Sequence, residues 1–252
     1  MNTDRISFLE SLAKNSALLK VVFLNHSGAP SKLIADLWSL DLLADRKATQ
    51  EFIHFCEGHA MVKELRISRE FRRTEIIVKF LDTTEMRFIL LRGMFRKAFS
   101  CLHVDEIRAT AFVNEFGMNV AAHEHHFDYI FLSCQFAQIS FPDRYKNYFS
   151  SFDFDTRTKV FRYIQPRYDL VINTLDELYT PKGSTQLKIM VGLRRDPMNS
   201  LFKMILRVVE YGFFKFFRLF RKRVTVIHNR QNYFEHEKIT SRSRNRAGQA
   251  VL

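Results

Sequence analysis

Apolar and polar positions alternate, or form short apolar runs, at several places in the first half of the chain, which predicts β-strands there. These stretches cover 21–24, 38–42, 62–67, 75–81 and 86–91, with a further strand expected within 104–113. Apolar residues recur at helical spacing over 4–19 and 46–58 instead. The pattern therefore predicts a mixed sheet with helices packed on it.

After Gly117 the apolar spacing becomes helical, and prolines separate the predicted helices. These helices cover 123–137, 142–150, 156–174 and 185–194, and the residues from about 235 onward contain few apolar side chains. We expect an α+β protein in three parts. An α/β domain over 1–120 precedes a mostly helical region over 121–223, and a short strand-like segment with a basic, disordered tail covers 224–252.

The clearest helical pattern covers 201–223. At 100° per residue its basic side chains fall within an arc of roughly 120°, and they are Lys203, Arg207, Lys215, Arg218, Arg221 and Lys222. Aliphatic and phenylalanine side chains occupy the opposite side. Three interpretations stay open: a final helix that docks its aromatic side, a helix whose basic face binds phosphates, and a helix lying in a membrane surface.

The distribution of charge favours an anionic partner for the C-terminal part of the chain. The formal net charge is +12, and the residues from Lys203 onward hold twelve Lys and Arg against three Glu, a net charge of +9. The first 202 residues therefore carry only about +3. A localised surplus of this kind is typical of contact with nucleic acid, phospholipid or an acidic protein.

The cysteines and the apolar runs predict a cytoplasmic location. Cys56, Cys101 and Cys134 are far apart and odd in number, so we expect buried free thiols in a reducing compartment. The N-terminal stretch is too charged for a signal peptide. No uncharged apolar run of about 18 residues exists that would predict a transmembrane segment.

The order of elements in the first half resembles the nucleotidyltransferase fold. Ser27 and Gly28 lie where that family has a glycine loop, and the run Ser39-Leu40-Asp41 lies where it has a pair of carboxylates. The resemblance implies that Ser27, Gly28 and Ser39 contact a nucleoside triphosphate, and that Asp41 is the catalytic, Mg²⁺-binding residue. Ser39 and Asp41 share one face of the predicted strand because side chains alternate along it.

Two of the three carboxylates that the family needs are missing from this pattern. Ser39 supplies no charge, and the strand expected to hold the third acid reads Arg87-Phe88-Ile89-Leu90. Two Mg²⁺ ions require several hard, charged oxygen ligands on a rigid sheet. We therefore expect a catalytically degenerate nucleotide-binding, regulatory or interaction module, with nucleic-acid or anionic-surface binding and an active Mg²⁺-dependent nucleotidyltransferase as alternatives.

The second half extends the resemblance to bacterial proteins that join a nucleotidyltransferase-like domain and a helical region to a thymidylate-kinase-like domain. The runs that carry this likeness are Gly117–Val120, His125–Leu132 and Pro142–Tyr145. In those proteins a basic aromatic helix is followed by a strand and a phosphate-binding loop. Here 223–228 resembles the strand, but GxxxxGK[ST] occurs nowhere in the chain, so we expect no kinase activity.

A histidine-rich run offers the densest group of candidate metal ligands. His123 and His126 share one face of a predicted helix, with Glu124 and Asp128 nearby, but no third ligand has a recognisable spacing. Three interpretations stay open: a metal site, a plain helix start with a buried aromatic stripe, and a helix from which His125 or His126 contacts a ligand in the cleft between the two halves.

Overall fold

The computed structural model describes residues 3–30, 39–96, 98–218 and 224–228. In these ranges the chain combines a mixed eight-stranded sheet with eight α-helices, which confirms the predicted α+β class. The helices are α1 (Thr3–Asn15), α2 (Arg46–Gly58), α3 (Val104–Thr110), α4 (His123–Ala137), α5 (Asp143–Ser150), α6 (Phe154–Tyr168), α7 (Gly183–Arg195) and α8 (Leu201–Arg218). The strands are β1 (Val22–Phe23), β2 (Ser39–Leu43), β3 (Val62–Glu70), β4 (Arg73–Phe80), β5 (Glu85–Leu91), β6 (Phe95–Arg96), β7 (Phe99–Ser100), β8 (Phe112–Val113), β9 (Asn119–Val120) and β10 (Val224–His228).

The large sheet has the strand order β10-β3-β4-β5-β2-β1-β9-β8, and β6 pairs with β7 in a separate ribbon. Strand β2 runs parallel to β5, with Asp41 opposite Ile89 and Leu43 opposite Leu91. The carboxyl ends of β2 and β5 therefore meet at one edge of the sheet, where α2 begins. Ligands of α/β proteins commonly bind at such an edge.

The two faces of the sheet differ because the strands alternate apolar and polar residues. One face packs against α1 and α2 in a phenylalanine-rich core that includes Phe8, Phe52 and Phe88. The opposite face carries polar and charged side chains, including Arg87 and Glu75, whose Nε and Oε1 atoms are 2.8 Å apart. Asp41 lies on this second, polar face.

Helices α4, α6 and α7 build a second core beside the sheet, and α4 is buried almost all round. Its Asp128 carboxylate accepts hydrogen bonds from Arg167 at 2.8 Å and from Tyr168 at 2.7 Å. Arg167 also donates to the carbonyl of Cys101 at 2.8 Å. Burial alone would lower the pKa of Arg167, but the Asp128 carboxylate and two tyrosines raise it, so the guanidinium remains charged.

Several predicted elements change in length or type. Within the range 104–113 predicted to hold a strand, residues 104–110 form helix α3, because Asp105 and Glu106 suit its first turn and Ile107 alone is buried, and the strand β8 covers only Phe112–Val113. Helix α6 ends at Tyr168, where Asp169 adopts a positive φ of 51°, so it is shorter than the predicted 156–174. The predicted tail from 229 lies outside the described residues.

The three cysteines are free and buried, as predicted. No helix among the described residues is both long enough and apolar enough to cross a membrane.

Candidate functional site

Asp41 is held in the middle of β2 by a network that joins the sheet to the helical region. Its Oδ2 accepts a hydrogen bond from the Tyr129 hydroxyl at 2.7 Å, while its buried Oδ1 has no hydrogen-bond partner among the described residues. Its backbone N–H donates to Asn25 Oδ1 at 3.0 Å, and Tyr145 donates to the Asn25 carbonyl at 3.1 Å. The predicted catalytic residue therefore lies at the junction of the two halves.

The electrostatic surroundings of Asp41 are positive. Burial raises the pKa of its carboxyl group, whereas the hydrogen bond from Tyr129 and the charges of Arg73, Arg87 and Arg144 oppose that rise. Neighbouring carboxylates would have the reverse effect. The site is thus organised around cations and not around a cluster of acids.

This donor set does not fit the two-Mg²⁺ arrangement that the resemblance implies. Glu75, on the same face of the sheet, already pairs with Arg87 at 2.8 Å and with Arg73 at 3.7 Å. Asp45 is occupied as the N-cap of α2, accepting the Ala48 N–H at 2.8 Å. The described part of the chain contains no group of three or more His, Cys, Asp or Glu side chains that could hold a metal ion.

The loop after β1 brings the predicted ligand residues Ser27 and Gly28 to the same end of β2 as Ser39. Asn114 donates to the Ser27 carbonyl at 2.8 Å, and the His26 imidazole lies 2.8 Å from the Gly28 carbonyl. The Ser27 carbonyl thus contacts a distant part of the chain, and the Gly28 carbonyl contacts a side chain of its own loop. Ser39 itself is opposite Arg87 across the β2–β5 pair.

The histidines of α4 point into the helical core. His126 packs against Tyr148 and Phe149, with ring centroids 5.2 and 5.6 Å apart. His125 packs edge-on to Tyr163, with its Nε2 3.9 Å from a Glu106 oxygen. Burial, followed by the charges of His26 and His123, lowers the pKa of His126 to about 3. Because both side chains are buried, this geometry agrees with the helix-start interpretation and does not place them in an open cleft.

Helix α8 has the opposite orientation to that of a helix docking its aromatic side. Arg207, in the middle of the predicted basic face, donates to the carbonyls of Ala98 and Met198 and to Asn199 Oδ1 at 2.6–3.1 Å. Lys203 and Lys215 are exposed. The side chain of Arg218 and all of Arg221 and Lys222 lie outside the described residues.

The apolar side chains of α8 face solvent. We define the apolar face of α8 as Leu201, Phe202, Ile205, Leu206, Val208, Val209, Phe213, Phe216 and Phe217, which keep 47–74% of their accessible surface.

A basic groove that the sequence patterns did not predict lies between α8 and the edge of the sheet. It encloses about 830 Å³. Its positively charged residues are Arg46, Lys47, Arg72, Arg92 and Arg108. The other residues that line it are Asp45, Phe71, Val104, Glu210, Phe213, Phe214 and Phe217. Five cations therefore face two carboxylates and four phenylalanine rings.

The sheet topology brings these cations together. Arg46 and Lys47 open α2 directly after β2, and Arg92 follows the parallel strand β5. The Arg92 N–H donates to the Arg72 carbonyl at 2.9 Å, which holds the β3–β4 turn against the same edge. Arg108 reaches the groove from α3, with one guanidinium nitrogen 3.5 Å from Asp45 Oδ2.

The charges of the groove are only partly compensated. Arg72 forms an ion pair with Glu210, and Arg108 with Asp45, whereas neither Arg46 nor Arg92 forms an ion pair among the described residues. Burial lowers the pKa of Arg92, and the charges of Arg46 and Arg72 lower it further. The fold holds these positive side chains close together although they repel one another. Such an arrangement is typical of an anion-binding site.

The amino-acid sequence contains one local sign of this groove, at the start of α2. Helix α2 begins with Arg46 and Lys47, although the positive end of a helix favours acidic residues in its first turn. The other three cations are dispersed between 72 and 108, and no spacing rule connects them.

Comparison with known proteins adds no relative: no protein-family model, no curated protein and no solved structure matches the chain.

Proposed function

We propose that this protein is a binding module for a phosphate-bearing ligand, held in the basic groove, and that it does not catalyse nucleotidyl transfer. The observation that carries the proposal is the convergence of five cations at the carboxyl edge of β2 and β5, with Arg46 and Arg92 lacking an ion pair among the described residues. Guanidinium groups match phosphate oxygens in a two-pronged geometry, which favours phosphate over a single carboxylate.

The nucleoside triphosphate implied by the nucleotidyltransferase resemblance suits this groove. Its volume of about 830 Å³ lies within the usual range for sites that bind small molecules. Phe71 and Phe214, whose rings lie 5.8 Å apart, offer aromatic faces beside the cations for a nucleobase. The phosphates would lie at the N-terminal end of α2, where the helix dipole adds to the arginine charges.

The second candidate function is Mg²⁺-dependent nucleotidyl transfer at Asp41. Its specific support is the buried Oδ1 atom, which accepts no hydrogen bond within the described part of the chain and could serve as one metal ligand. The positive surroundings and the commitments of Glu75 and Asp45 argue against it. A binder of single-stranded nucleic acid that uses the basic residues from 203 onward is the other alternative.

Isothermal titration calorimetry with ATP and GTP tests the proposal. We expect Arg46→Gln and Arg92→Gln each to weaken binding about tenfold, since a hydrogen bond to a charged group contributes roughly 1.5–3 kcal/mol. Arg194→Gln, at an exposed position of α7 away from the groove, is the matched control and should bind like the wild type. Equal affinities for all four proteins, or no heat with the wild type, would refute a nucleotide site in the groove.

The same titrations separate the alternatives. Binding that needs Mg²⁺ and disappears in Asp41→Asn would favour the second candidate, because only that site depends on a carboxylate ligand. Binding of single-stranded DNA that falls steeply with salt and does not respond to Arg46→Gln or Arg92→Gln would favour the nucleic-acid alternative.

Inorganic tripolyphosphate, used as a competitor of ATP, separates phosphate recognition from base recognition.

A further inference from the structure

The apolar face of α8 remains exposed because the other face of the helix is bound to the protein by specific polar contacts. Arg207 donates three hydrogen bonds to Ala98, Met198 and Asn199, and Asn199 is itself fixed to the backbone of Ser100. One turn further on, Glu210 pairs with Arg72. Turning the apolar face inward would break all of these contacts.

The aromatic residues of α8 divide between its two faces in the same way. Tyr211 and Phe214 contact Phe71, with ring centroids 5.3 and 5.8 Å apart, so they belong to the side of α8 that docks. Phe202 and Phe216 lie on the other side of the helix and stay exposed at 70% and 57%. Single exposed apolar residues are common on protein surfaces. Nine neighbouring ones form a continuous apolar patch, and such a patch marks an interaction surface.

We propose that the apolar face of α8 lies on the surface of a lipid bilayer that contains anionic lipids. The exposed Lys203 and Lys215 lie on either side of this face, roughly 40° and 20° beyond its edges on a helical projection. In that position both ammonium groups reach phosphate headgroups while the phenylalanine rings enter the acyl boundary. The net charge of +9 from Lys203 onward is complementary to the same surface.

The shape of the face agrees with a planar apolar phase. The apolar arc spans about half of the helix circumference, and the 18 residues of α8 extend over about 27 Å. A helix with this strong segregation and a Lys- and Arg-rich polar side is the usual form of a helix lying in the membrane interface. The basic groove borders the face at Phe213 and Phe217, so its cations approach the same plane.

A second copy of the chain fits this face less well. Two α8 helices packed face to face would bring Lys203 and Lys215 of one copy close to those of the other. Glu210, the acidic residue of α8, is already paired with Arg72 and does not offset that repulsion. Charge therefore favours an anionic bilayer over self-association.

Vesicle flotation of the full-length protein tests the proposal. Vesicles of phosphatidylcholine with phosphatidylserine should carry the wild type upward, and vesicles of phosphatidylcholine alone should carry much less. The double variant Ile205→Ser/Phe216→Ser should lower the partition coefficient at least about tenfold, because each side chain loses roughly 1.5–3 kcal/mol of transfer free energy when fully buried. Phe154→Ser, an exposed phenylalanine of α6, is the matched control and should partition like the wild type.

The charge contribution is measured with Lys203→Ala/Lys215→Ala. We expect about a fivefold loss per lysine on phosphatidylserine vesicles and little change on phosphatidylcholine, since each basic residue near an anionic surface contributes about 1 kcal/mol. All variants change exposed positions, so their circular dichroism spectra and melting temperatures should match the wild type, which confirms that they fold.

Three results would overturn the proposal. These are no flotation of the wild type, equal flotation of the wild type and Ile205→Ser/Phe216→Ser, and a wild-type dimer in lipid-free sedimentation that the double variant abolishes. The proposal goes beyond the phosphate site and does not depend on it. Loss of ATP binding in Arg92→Gln together with normal flotation would separate the two, as would flotation of a protein that binds no ATP.

Discussion

At the scale of single residues, burial decides the chemistry of His126 and Arg207. His126 lies among Tyr148, Phe149 and Tyr145, and its pKa falls to about 3 because the charged imidazole would lose its hydration there. Arg207, on the docked side of α8, donates hydrogen bonds to three acceptors of the protein itself. The sequence predicts both residues as ligand-binding candidates, and in the structure both contact other parts of the protein.

The depressed pKa of His126 predicts a pH dependence of stability. The unfolded imidazole has a pKa of 6.5 and the folded one about 3, so the unfolded state binds more protons between these values. The stabilisation is fully present above pH 6.5 and is lost as the pH falls toward 3. Between pH 7.5 and 5 we expect a loss of about 2 kcal/mol in the free energy of unfolding from this residue.

Urea denaturation at both pH values measures this loss. His126→Phe replaces the imidazole by an apolar ring in an aromatic surrounding, so the fall in stability between pH 7.5 and 5 should shrink by about 2 kcal/mol. An identical acid dependence in the wild type and His126→Phe would contradict a buried neutral imidazole.

At the scale of elements, α8 demonstrates that a segregated helix does not by itself reveal which face docks. Amphipathic helices of globular proteins usually bury the apolar side, because burial of apolar surface drives docking. In α8 the ion pair of Glu210 with Arg72, the hydrogen bonds of Arg207 and the contact of Phe214 with Phe71 select the other side. The local pattern is correct, but long-range partners set the orientation.

Phe214 and Phe216 provide a direct test of this orientation. They are two residues apart on α8 and so point in directions about 160° apart. Phe214→Ser removes the contact with Phe71 and should lower the free energy of unfolding by about 1–2 kcal/mol. Phe216→Ser should change it by less than about 0.5 kcal/mol, as is usual for exposed positions. Chemical denaturation gives both values, and a reversed order would mean that the apolar face is the docked one.

At the scale of the whole molecule, the sheet and the helical region form two cores that share β1 and its flanks. Val21 and Phe23 point into the sheet core, while Val22 and Leu24 point into the helical core. Leu43 of β2 joins the second core as well. The predicted boundary near residue 120 stays a prediction, and each core includes side chains of this segment.

We therefore expect one cooperative thermal transition. The calorimetric and van't Hoff enthalpies should agree, and Val22→Ala should lower the melting temperature of the entire transition, since deleting buried methyl groups weakens the shared segment. Two resolved transitions, with only the helical one shifted by Val22→Ala, would mean that the cores unfold independently.

The α+β class, most strands of the first half, the helices α4, α5 and α7 and the segregation of α8 follow from the order of residues alone. Period-2 and period-3.6 patterns are local, and burial of one face enforces them. The order of residues also places Ser27, Gly28, Ser39 and Asp41 near one another, because β1 and β2 are adjacent in the chain and in the sheet.

The groups that surround Asp41, the docked face of α8 and the meeting point of the cations become known only from the three-dimensional fold. The arginines near Asp41 and those of the basic groove come from separate strands, turns and helices, so their convergence depends on the β2–β5 register and on strand order. Electrostatic and hydrogen-bonding interactions act across space, and a one-dimensional pattern contains no measure of that separation.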